Sequence, residues 1–319
     1  MAYKPSYTWP NPAFPFRVYY DGPECRVFII ENIQHNWNWL SEYHTKIRQN
    51  DYFFVYCGWY HSEHFAREAN QIFTELQLNK DRFFIMFNSE KEMDNFLPFG
   101  FQGDLINHNA WLDENLVMKV LPSEKKIFDA LYIARLSSFK RHELASDVSN
   151  LALIAGINHG NPENEKLPQY VYKNTQPLAP EEVCEKINQS KCGLLLSAAE
   201  GACFSSSEYL LCGIPVVSTF SEGGRDVWYN DYNSKIVDSN TRSVAEAVEF
   251  FIENPRDPYR IRNDHIAQAQ IFRNRFIRKL GQIFYDNSVN IDAREYFNEN
   301  YFHKLRKSYR PNFQEIFER

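Results

Sequence analysis

The sequence predicts an α/β fold with two parallel sheets. Short apolar runs, typical of buried strands, alternate with helical segments along most of the chain. Such alternation is the pattern of parallel strands connected by helices. The chain has 319 residues, of which 44% are hydrophobic and 24% are charged. This length and composition suit two soluble globular domains.

Four strand candidates lie in the first part of the chain, at residues 26–30 (RVFII), 52–57 (YFFVYC), 82–87 (RFFIMF) and 101–106 (FQGDLI). Because helical segments separate these runs, a small parallel sheet covered on both faces is predicted. Residues 1–24 are rich in proline and aromatic side chains and are expected to form an irregular lead-in. The first domain is expected to span residues 1–120.

The second part of the chain repeats the alternation, with strand candidates at residues 129–136, 151–155, 171–180, 194–196 and 216–217. Helices are predicted from residues 137–142 onward, at residues 181–189 and over the amphipathic pattern VAEAVEFFIENP. We expect this second domain to span residues 121–285. The remaining residues, 286–319, have a helical pattern.

Charge and cysteine usage narrow the class of protein. The net charge is −6, which argues against a nucleic acid as the main partner because phosphate backbones require basic surface. The six cysteines contain no Cys-x-x-Cys pair and are interpreted as reduced thiols. The chain has no apolar run of membrane-spanning length, and its first residues do not resemble a signal peptide. We therefore expect a cytoplasmic protein.

A basic segment at residues 259–282 has two interpretations. It carries six cations, with apolar residues at Phe272, Phe276 and Leu280. This pattern is typical of a solvated basic face over a buried apolar stripe, which is the favoured interpretation. The alternative is a face for anionic lipid, which would allow peripheral contact with the inner face of a membrane.

The stretch that most suggests a site is residues 193–225, GLLLSAAEGACFSSSEYLLCGIPVVSTFSEGGR. An apolar strand leads into a small-residue turn and a short helix, which Gly213 and Pro215 end before the next strand. Ligands of such units bind at the carboxyl ends of the strands. Amides at the start of the helix would hold a phosphate, with Glu200 and Glu208 as hydroxyl acceptors on either side. The pattern fits a nucleotide sugar.

These residues also resemble a known family. Glu200, seven further residues, Glu208, the segment CGIPVVST and a Gly-Gly pair resemble the donor site of retaining GT-B glycosyltransferases of the family-four type. The resemblance implies two Rossmann-like parallel-sheet domains that face each other across a cleft. It also implies that Glu200 faces the hexose hydroxyls and that Glu208 holds the nucleotide ribose. The expected donor site of the turn and helix further contains Gly201, Ala202, Cys203, Phe204 and Ser205, and the amides of the last two would take the diphosphate.

Two cations complete the resemblance. Arg135 ends a predicted strand and Lys140 follows five positions later, which resembles the Arg-then-Lys pair that grips the diphosphate in this family. Fixed cations there would stabilise the charge that the leaving nucleotide gains in the transition state. The family also lines the nucleotide base with the loop before the next helix, which implies Thr175 and Gln176 here. Arg135, Lys140 and Glu200 are the expected catalytic residues.

Acceptor residues are expected in the first domain, where polar and aromatic side chains follow the strand candidates. These are His35, Trp37, Trp59, His61 and His108. For the loop of His35 and Trp37, packing of the tryptophans into the core remains an alternative, and for His108 a capping or core position does. His61 and His64 have the spacing of two metal ligands, but a third ligand is missing, and the chain contains no Asp-x-Asp pair. No metal and no cofactor are therefore expected.

The resemblance implies retaining, metal-independent transfer of a hexose from a nucleotide sugar to a hydroxyl acceptor. UDP-glucose is the expected donor, the acceptor would be a saccharide or a lipid-linked saccharide, and polysaccharide assembly is the expected setting. The family route needs no enzyme nucleophile, and none is named. Two alternatives stay open: a nucleotide-sugar epimerase on the same fold, and a relative that binds a sugar nucleotide without turnover.

Overall fold

A computed structural model of the chain describes residues 16–35, 37–57, 62–156 and 167–305. These residues form two compact units. The first unit contains the described residues up to Leu112 and those from Gln270 onward, and the second unit runs from Asp113 to Ala269. The domain limits expected from the sequence, 1–120, 121–285 and 286–319, stay a prediction.

The first unit has a five-stranded sheet in the order β1-β2-β3-β4-β5. Its strands are β1 (Phe16–Asp21), β2 (Arg26–Ile30), β3 (Asp51–Val55), β4 (Phe83–Phe87) and β5 (Gln102–Leu105). Strands β2 to β5 are parallel, whereas β1 pairs antiparallel with β2. The expectation of an irregular lead-in was wrong from Phe16 onward, because a turn closed by the Gly22 amide and the Cys25 carbonyl folds β1 back onto β2.

Aromatic residues in register build the core of this sheet. Phe28 of β2 pairs with Phe53 of β3, which pairs with Phe83 of β4. Their rings stack with centroid distances of 5.0 and 4.5 Å. Cross-strand aromatic pairs of this kind stabilise a sheet beyond the area that they bury. The high aromatic content of the sequence is therefore used largely for packing in this unit.

Helices cover the first sheet. They are α1 (Trp37–Tyr43), α2 (Glu63–Glu75), α3 (Glu90–Phe96) and, near the end of the described chain, α8 (Ala293–Glu299). Helix α2 buries Phe65, Ala69 and Phe73, which are four residues apart and therefore share one face of the helix. Ser89 caps the start of helix α3, because its hydroxyl accepts a hydrogen bond from the Glu92 amide.

The second unit has a six-stranded parallel sheet in the order β13-β11-β9-β6-β7-β8. Its strands are β6 (Phe128–Arg135), β7 (Leu151–Gly156), β8 (Tyr172–Lys173), β9 (Ser190–Leu195), β11 (Val216–Thr219) and β13 (Ser234–Val237). Two further strands, β10 (Ala199–Glu200) and β12 (Glu222–Gly223), pair with each other. The helices are α4 (Pro180–Asn188), α5 (Phe204–Leu211), α6 (Thr241–Glu253) and the first part of the long α7 (Pro258–Asp286), whose residues from Gln270 onward belong to the first unit.

Two local predictions were wrong. The strand expected at residues 171–180 is limited to Tyr172–Lys173, since Pro177 and Pro180 cannot donate to a strand ladder. Two short 3-10 turns replace the helix expected from residues 137–142 onward, because Arg141 lies between them in the left-handed region with φ of 51°.

The apolar stripe of the basic segment faces protein. Phe272, Phe276 and Leu280 on α7 are fully buried, as the favoured interpretation of residues 259–282 requires. Arg273 on the same helix donates to the carbonyl oxygens of Ala110 and Leu112, at 2.7 Å each. In the described part of the chain, no helix is both long and apolar enough to cross a membrane.

We expect Asp51→Ala to lower the free energy of unfolding by about 3 to 5 kcal/mol. The Asp51 carboxylate accepts hydrogen bonds of 2.7 Å from both Nε and Nη2 of Arg26, and neither side chain is more than 5% exposed. Removing the carboxylate leaves a buried charge without its counter-ion. Urea unfolding measures the loss. The control is Glu246→Ala, which breaks the exposed pair with Arg242 and should cost far less, because solvent screens that pair. Equal losses in the two variants would contradict the prediction.

Candidate nucleotide-sugar site

A pocket of about 380 Å³ lies at the carboxyl ends of β6 and β7 in the second unit. Its walls include Ile133 and Arg135 from the end of β6, Ala155 and Gly156 from the end of β7, and Ser205 from the first turn of α5. The pocket has the size of a small-molecule site. It also lies at the strand ends where parallel sheets bind their ligands.

The two predicted cations line this pocket together. Arg135 ends β6 and is exposed, and Lys140 ends the 3-10 turn that follows. Both lie over the ring of Phe139, with the Arg135 guanidinium carbon 5.4 Å and the Lys140 ammonium 5.0 Å from its centroid. One aromatic ring therefore positions both positive charges at the same pocket.

Glu200 is buried next to Lys140. Its side chain is only 6% exposed, and its Oε1 atom forms an ion pair with the Lys140 ammonium. The same oxygen accepts a hydrogen bond of 2.7 Å from the Ser197 hydroxyl. The structure thus brings together a predicted sugar-facing carboxylate and a predicted phosphate-binding cation, in direct contact with each other.

A two-stranded pairing fixes the backbone of Glu200. Residues Ala199 and Glu200 of β10 pair with Glu222 and Gly223 of β12. Gly223 has φ of 116°, and a Cβ atom there would overlap the carbonyl oxygen of Glu200. Only glycine meets both requirements. The Gly-Gly pair of the sequence therefore allows close backbone approach at the position of Glu200.

Two arginines, the buried Arg225 and the half-buried Arg141, hold the surrounding loops. Arg225 is fully buried and donates to the Ser197 carbonyl at 3.1 Å, to the Ser197 hydroxyl at 2.8 Å and to the carbonyl of Thr219. Arg141 donates to the Leu196 carbonyl and to the Thr219 hydroxyl. These contacts connect the exits of β9 and β11. Sequence reasoning missed Arg141, although its neighbour Lys140 was identified.

Tyr209 anchors helix α5 to the sheet. Strand β9 pairs with β6 only as far as Tyr132, and the Tyr209 hydroxyl bonds to β6 at this point. It accepts from the Ile133 amide at 2.8 Å and donates to the Leu131 carbonyl at 3.1 Å. Gly193 leaves room for the ring, because a Cβ atom there would overlap it. Helix α5 is thereby held beside the end of β6.

The residues predicted on the turn and helix lie together at the start of α5. Gly201 and Ala202 are buried, and Cys203 is the left-handed residue, with φ of 56°, that precedes the helix. Burial raises the pKa of the Cys203 thiol to about 12, so this thiol is not a nucleophile at neutral pH. Helix α5 starts at Phe204.

Glu208 lies on the same face of helix α5 as a residue that lines the pocket. It is half-buried and lies three residues after Ser205 on α5. Residues three apart are neighbours on a helix surface, and Ser205 lines the pocket. The predicted ribose-binding carboxylate therefore lies on the helix whose first turn forms part of the pocket wall.

The loop after β8 differs from its prediction in detail. Thr175 and Gln176 are both exposed, and the pocket wall contains their neighbours Asn174, Pro177 and Leu178. The Asn174 side chain accepts from the Ala155 amide at 2.7 Å and donates to the Ala155 carbonyl at 3.1 Å. The Asn174 side chain thus forms hydrogen bonds with the backbone at the end of β7 in the way that a neighbouring strand would. Sequence reasoning missed it because an Asn in a loop carries no local signal of this role.

Of the predicted acceptor residues, Trp37 and His108 have described side chains. Trp37 stacks on Phe65 with a centroid distance of 5.9 Å and packs against the core of the first unit. His108 stacks on Tyr56 at 4.5 Å, and its Nε2 atom is 3.3 Å from Glu31 Oε1. The backbone of His35 belongs to a short 3-10 turn. Trp59 and His61 lie outside the described residues.

Sequence reasoning also missed a buried polar network at the strand ends of the first unit. The Asn107 side chain donates to the Asn88 carbonyl at 2.9 Å, and the Asn88 side chain accepts from the His108 amide at 2.9 Å. Glu92 accepts from the Asn88 amide at 2.6 Å. Burial raises the pKa of Glu92 to about 7. The available signal was a polar residue directly after a buried strand, as Asn88 is after β4.

Within residues 16–35, 37–57, 62–156 and 167–305, no group of three or more His, Cys, Asp or Glu side chains is arranged to hold a metal ion. His64, one of the two histidines with ligand spacing, lies in the first turn of α2.

Comparison with known proteins gives structural relatives only. No protein-family profile matches the sequence, and no curated protein matches it. Among solved structures, the Anabaena protein HepE in complex with UDP is similar with a TM-score of 0.56 and 14% identity, over 80% of this chain and 78% of HepE. Sucrose-phosphate synthase from Thermosynechococcus elongatus is similar with a TM-score of 0.51 and 13% identity, over 82% and 73%.

HepE has also been solved with UDP-glucose, and that structure is similar with a TM-score of 0.50 and 16% identity, over 73% of this chain and 72% of HepE. At such identities the similarity concerns the fold. It confirms the predicted α/β class with parallel sheets, as in GT-B glycosyltransferases.

We expect Gly223→Ala to lower the free energy of unfolding by about 3 to 5 kcal/mol, because the new Cβ atom adds overlap to an unfavourable φ. The matched control is Gly100→Ala. Gly100 also has a positive φ, of 78°, but nothing lies within 4 Å of the added carbon, so the strain alone should cost about 1 kcal/mol. Urea unfolding of the two variants measures the difference. A cost at Gly223 no larger than that at Gly100 would contradict close approach of the backbone.

We expect Glu92→Gln to remove a pH dependence of stability. The pKa of Glu92 rises from 4.5 to about 7 on folding, so the folded state favours the protonated carboxyl. The stabilisation that the protonated Glu92 gives to the folded state is complete below pH 4.5 and is lost as pH rises through 7. This loss amounts to about 3 kcal/mol.

Urea unfolding at pH 5 and pH 8 tests the titration of Glu92. The stability of Glu92→Gln relative to the unmodified protein should increase at the higher pH. Glu90→Gln, at an exposed position on the same helix, is the control. Its stability relative to the unmodified protein should differ little at pH 5 and at pH 8. A pH-independent difference for Glu92→Gln would contradict the prediction.

Proposed function

We propose that this chain is a glycosyltransferase that uses a nucleotide sugar, and that the pocket at the ends of β6 and β7 holds the donor. The donor's diphosphate lies against Arg135, Lys140 and the first turn of α5. One observation carries the proposal: two cations over one aromatic ring line the same pocket as the start of a helix. Cations and helix amino termini are the groups that bind phosphates in proteins.

The two cations have different roles in this proposal. Arg135 is exposed and makes no ion pair with the described residues, so its charge is available to an entering diphosphate. Lys140 is mostly buried and already faces Glu200. A phosphate oxygen next to Lys140 would share that ammonium with the carboxylate. Both charges are in place before the reaction and stabilise the leaving nucleotide as its negative charge increases.

Glu200 acts on the sugar. Its Oε1 atom is held by Lys140 and by the Ser197 hydroxyl, which fixes the orientation of the carboxylate. The sugar hydroxyls would donate to this fixed acceptor, and Glu208, further along α5, would accept the ribose hydroxyls. Hydrogen bonds from hydroxyls to carboxylates are short and strong. The site therefore distinguishes a sugar nucleotide from a simple phosphate.

We further propose that the transfer is retaining and independent of metal, with UDP-glucose as the donor. The fold similarity to HepE, whose structures contain UDP and UDP-glucose, supports a uridine nucleotide. The site contains two cations where a metal-dependent transferase would have carboxylate ligands. The leaving phosphate would assist in deprotonating the acceptor hydroxyl, so no side chain is assigned as nucleophile. The acceptor would be a saccharide or a lipid-linked saccharide in polysaccharide assembly.

We expect Lys140→Met and Arg135→Met each to weaken UDP binding at least tenfold, which corresponds to about 1.4 kcal/mol, because each removes a positive charge from the diphosphate position. Isothermal calorimetry with UDP measures the affinity. Arg242→Met is the control, since Arg242 is exposed on α6 and pairs with Glu246. The affinity of this variant for UDP should stay unchanged. Unaltered UDP binding by both site variants would reject the site.

Turnover separates the proposed activity from its alternatives. The protein is incubated with labelled UDP-glucose and a panel of saccharide acceptors, and the products are separated by chromatography. A transferase yields UDP and a glycoside, and Glu200→Gln should lower this turnover more than it lowers UDP binding. A new nucleotide sugar would indicate an epimerase, and UDP binding without any product would indicate a binding protein. Either of these two results overturns the proposed activity.

A further inference from the structure

A second pocket, of about 410 Å³, lies at the opposite edge of the second sheet. Lys126 precedes β6, Lys191 lies at the start of β9, and Pro215 directly precedes β11; all three line this pocket. The pocket described above is lined by the carboxyl ends of β6 and β7, whereas this one is lined by residues at the amino ends of strands. The two pockets are therefore separate.

Most of the walls are apolar. They come from the end of α5, from α6 and from the turn before α7, and include Ile214, Pro215, Phe251, Ile252, Pro255 and Pro258. A volume of this size with apolar walls is typical of small-molecule sites. An apolar body of a ligand would replace water along these side chains, which is favourable in proportion to the area covered.

Two cations without carboxylate partners face this apolar space. The Lys126 ammonium donates to the Ser190 carbonyl at 2.9 Å, and Arg256 lies near the rings of Tyr232, Phe250 and Phe251. Neither forms an ion pair with a residue that the structure describes. Desolvation lowers the pKa of Lys126 to about 8, although the residue as a whole is exposed. An anion close to Lys126 would offset that desolvation.

Arg256 differs from the other arginines packed in this unit. Arg225 and Arg262 donate to carbonyl oxygens of the protein. By contrast, the Arg256 guanidinium makes no hydrogen bond to the described residues, and its Nε atom is buried without a partner. A buried donor without an acceptor costs stability. A bound carboxylate would provide the missing acceptor, because its two oxygens match the guanidinium.

The net charge of the side chains that line this pocket favours a ligand with one negative charge. Lys191 is already neutralised by Asp129, with Nζ 2.7 Å from Oδ1. Lys126 and Arg256 contribute two positive charges, and Glu124, whose carboxylate accepts from the Gln189 side chain, contributes one negative charge. The sum is one positive charge.

We propose that this pocket binds a small carboxylic acid with an apolar body. The carboxylate lies at Lys126 and Arg256, and the apolar body covers Ile214, Phe251 and Ile252. The pocket is a second ligand site of this unit, separate from the nucleotide-sugar site, and its occupation does not depend on the activity proposed above.

Isothermal calorimetry with octanoate, in the absence of nucleotide, tests this site on the whole chain. Octanoate should bind with one-to-one stoichiometry. Octanol, which lacks the charge, and acetate, which lacks the apolar body, should each bind at least tenfold more weakly. Arg256→Met and Lys126→Met keep apolar bulk and should each weaken octanoate binding at least tenfold. Arg242→Met removes an exposed cation of the same unit and is the control, with unchanged affinity.

A pocket-filling variant separates loss of the site from loss of folding. Ile252→Trp places a large ring in the pocket while both cations remain, and it should abolish octanoate binding with unchanged affinity for UDP and an unchanged circular dichroism spectrum. The proposal is overturned if octanoate fails to bind the unmodified protein, if octanol binds as tightly as octanoate, or if Arg242→Met weakens binding as much as the two pocket variants. Binding that persists in Ile252→Trp also overturns it.

Discussion

The fully buried guanidinium of Arg225 is the constraint on which the candidate donor site depends. A charge without water must find hydrogen-bond acceptors in the protein, and Arg225 finds them at Ser197 and at the Thr219 carbonyl. These acceptors lie on the loops that leave β9 and β11. Satisfying one buried charge thus fixes both loops, and Ser197 in turn holds the carboxylate of Glu200.

Two different environments give the cations of the site different properties. Arg135 is exposed, whereas Lys140 is confined between Phe139 and Glu200. A confined charge loses little conformational entropy on binding, and an exposed one can adapt to the length of a diphosphate. In the function proposed above, this combination would suit a substrate that enters, reacts and leaves. The Glu200 carboxylate would then limit how strongly Lys140 attracts an anion and would favour release of the product.

Both units follow one rule, although their chemistry differs. Their central parallel strands are buried and mostly apolar, and polar residues follow directly or soon after such a strand ends, as Asn88 does after β4 and Ser197 does after β9. In the first unit these residues form a network of asparagines with Glu92 and His108. In the second they form an ion pair beside a pocket. Strand ends carry such groups because their backbone is no longer paired and the adjoining loops reach solvent.

Local apolar runs, turn residues and spacing were enough for the sequence to predict the α/β class, most strands, the place of Arg135 at the end of β6 and the start of α5. It did not determine β1, the left-handed Arg141 or the pairing of Asn174 with the end of β7. The Asn174 pairing joins residues 19 positions apart, so no local pattern encodes it. The contact of Lys140 with Glu200 joins residues 60 positions apart. It depends on the folded sheet, since the exits of β6 and β9 meet only when those strands pair side by side.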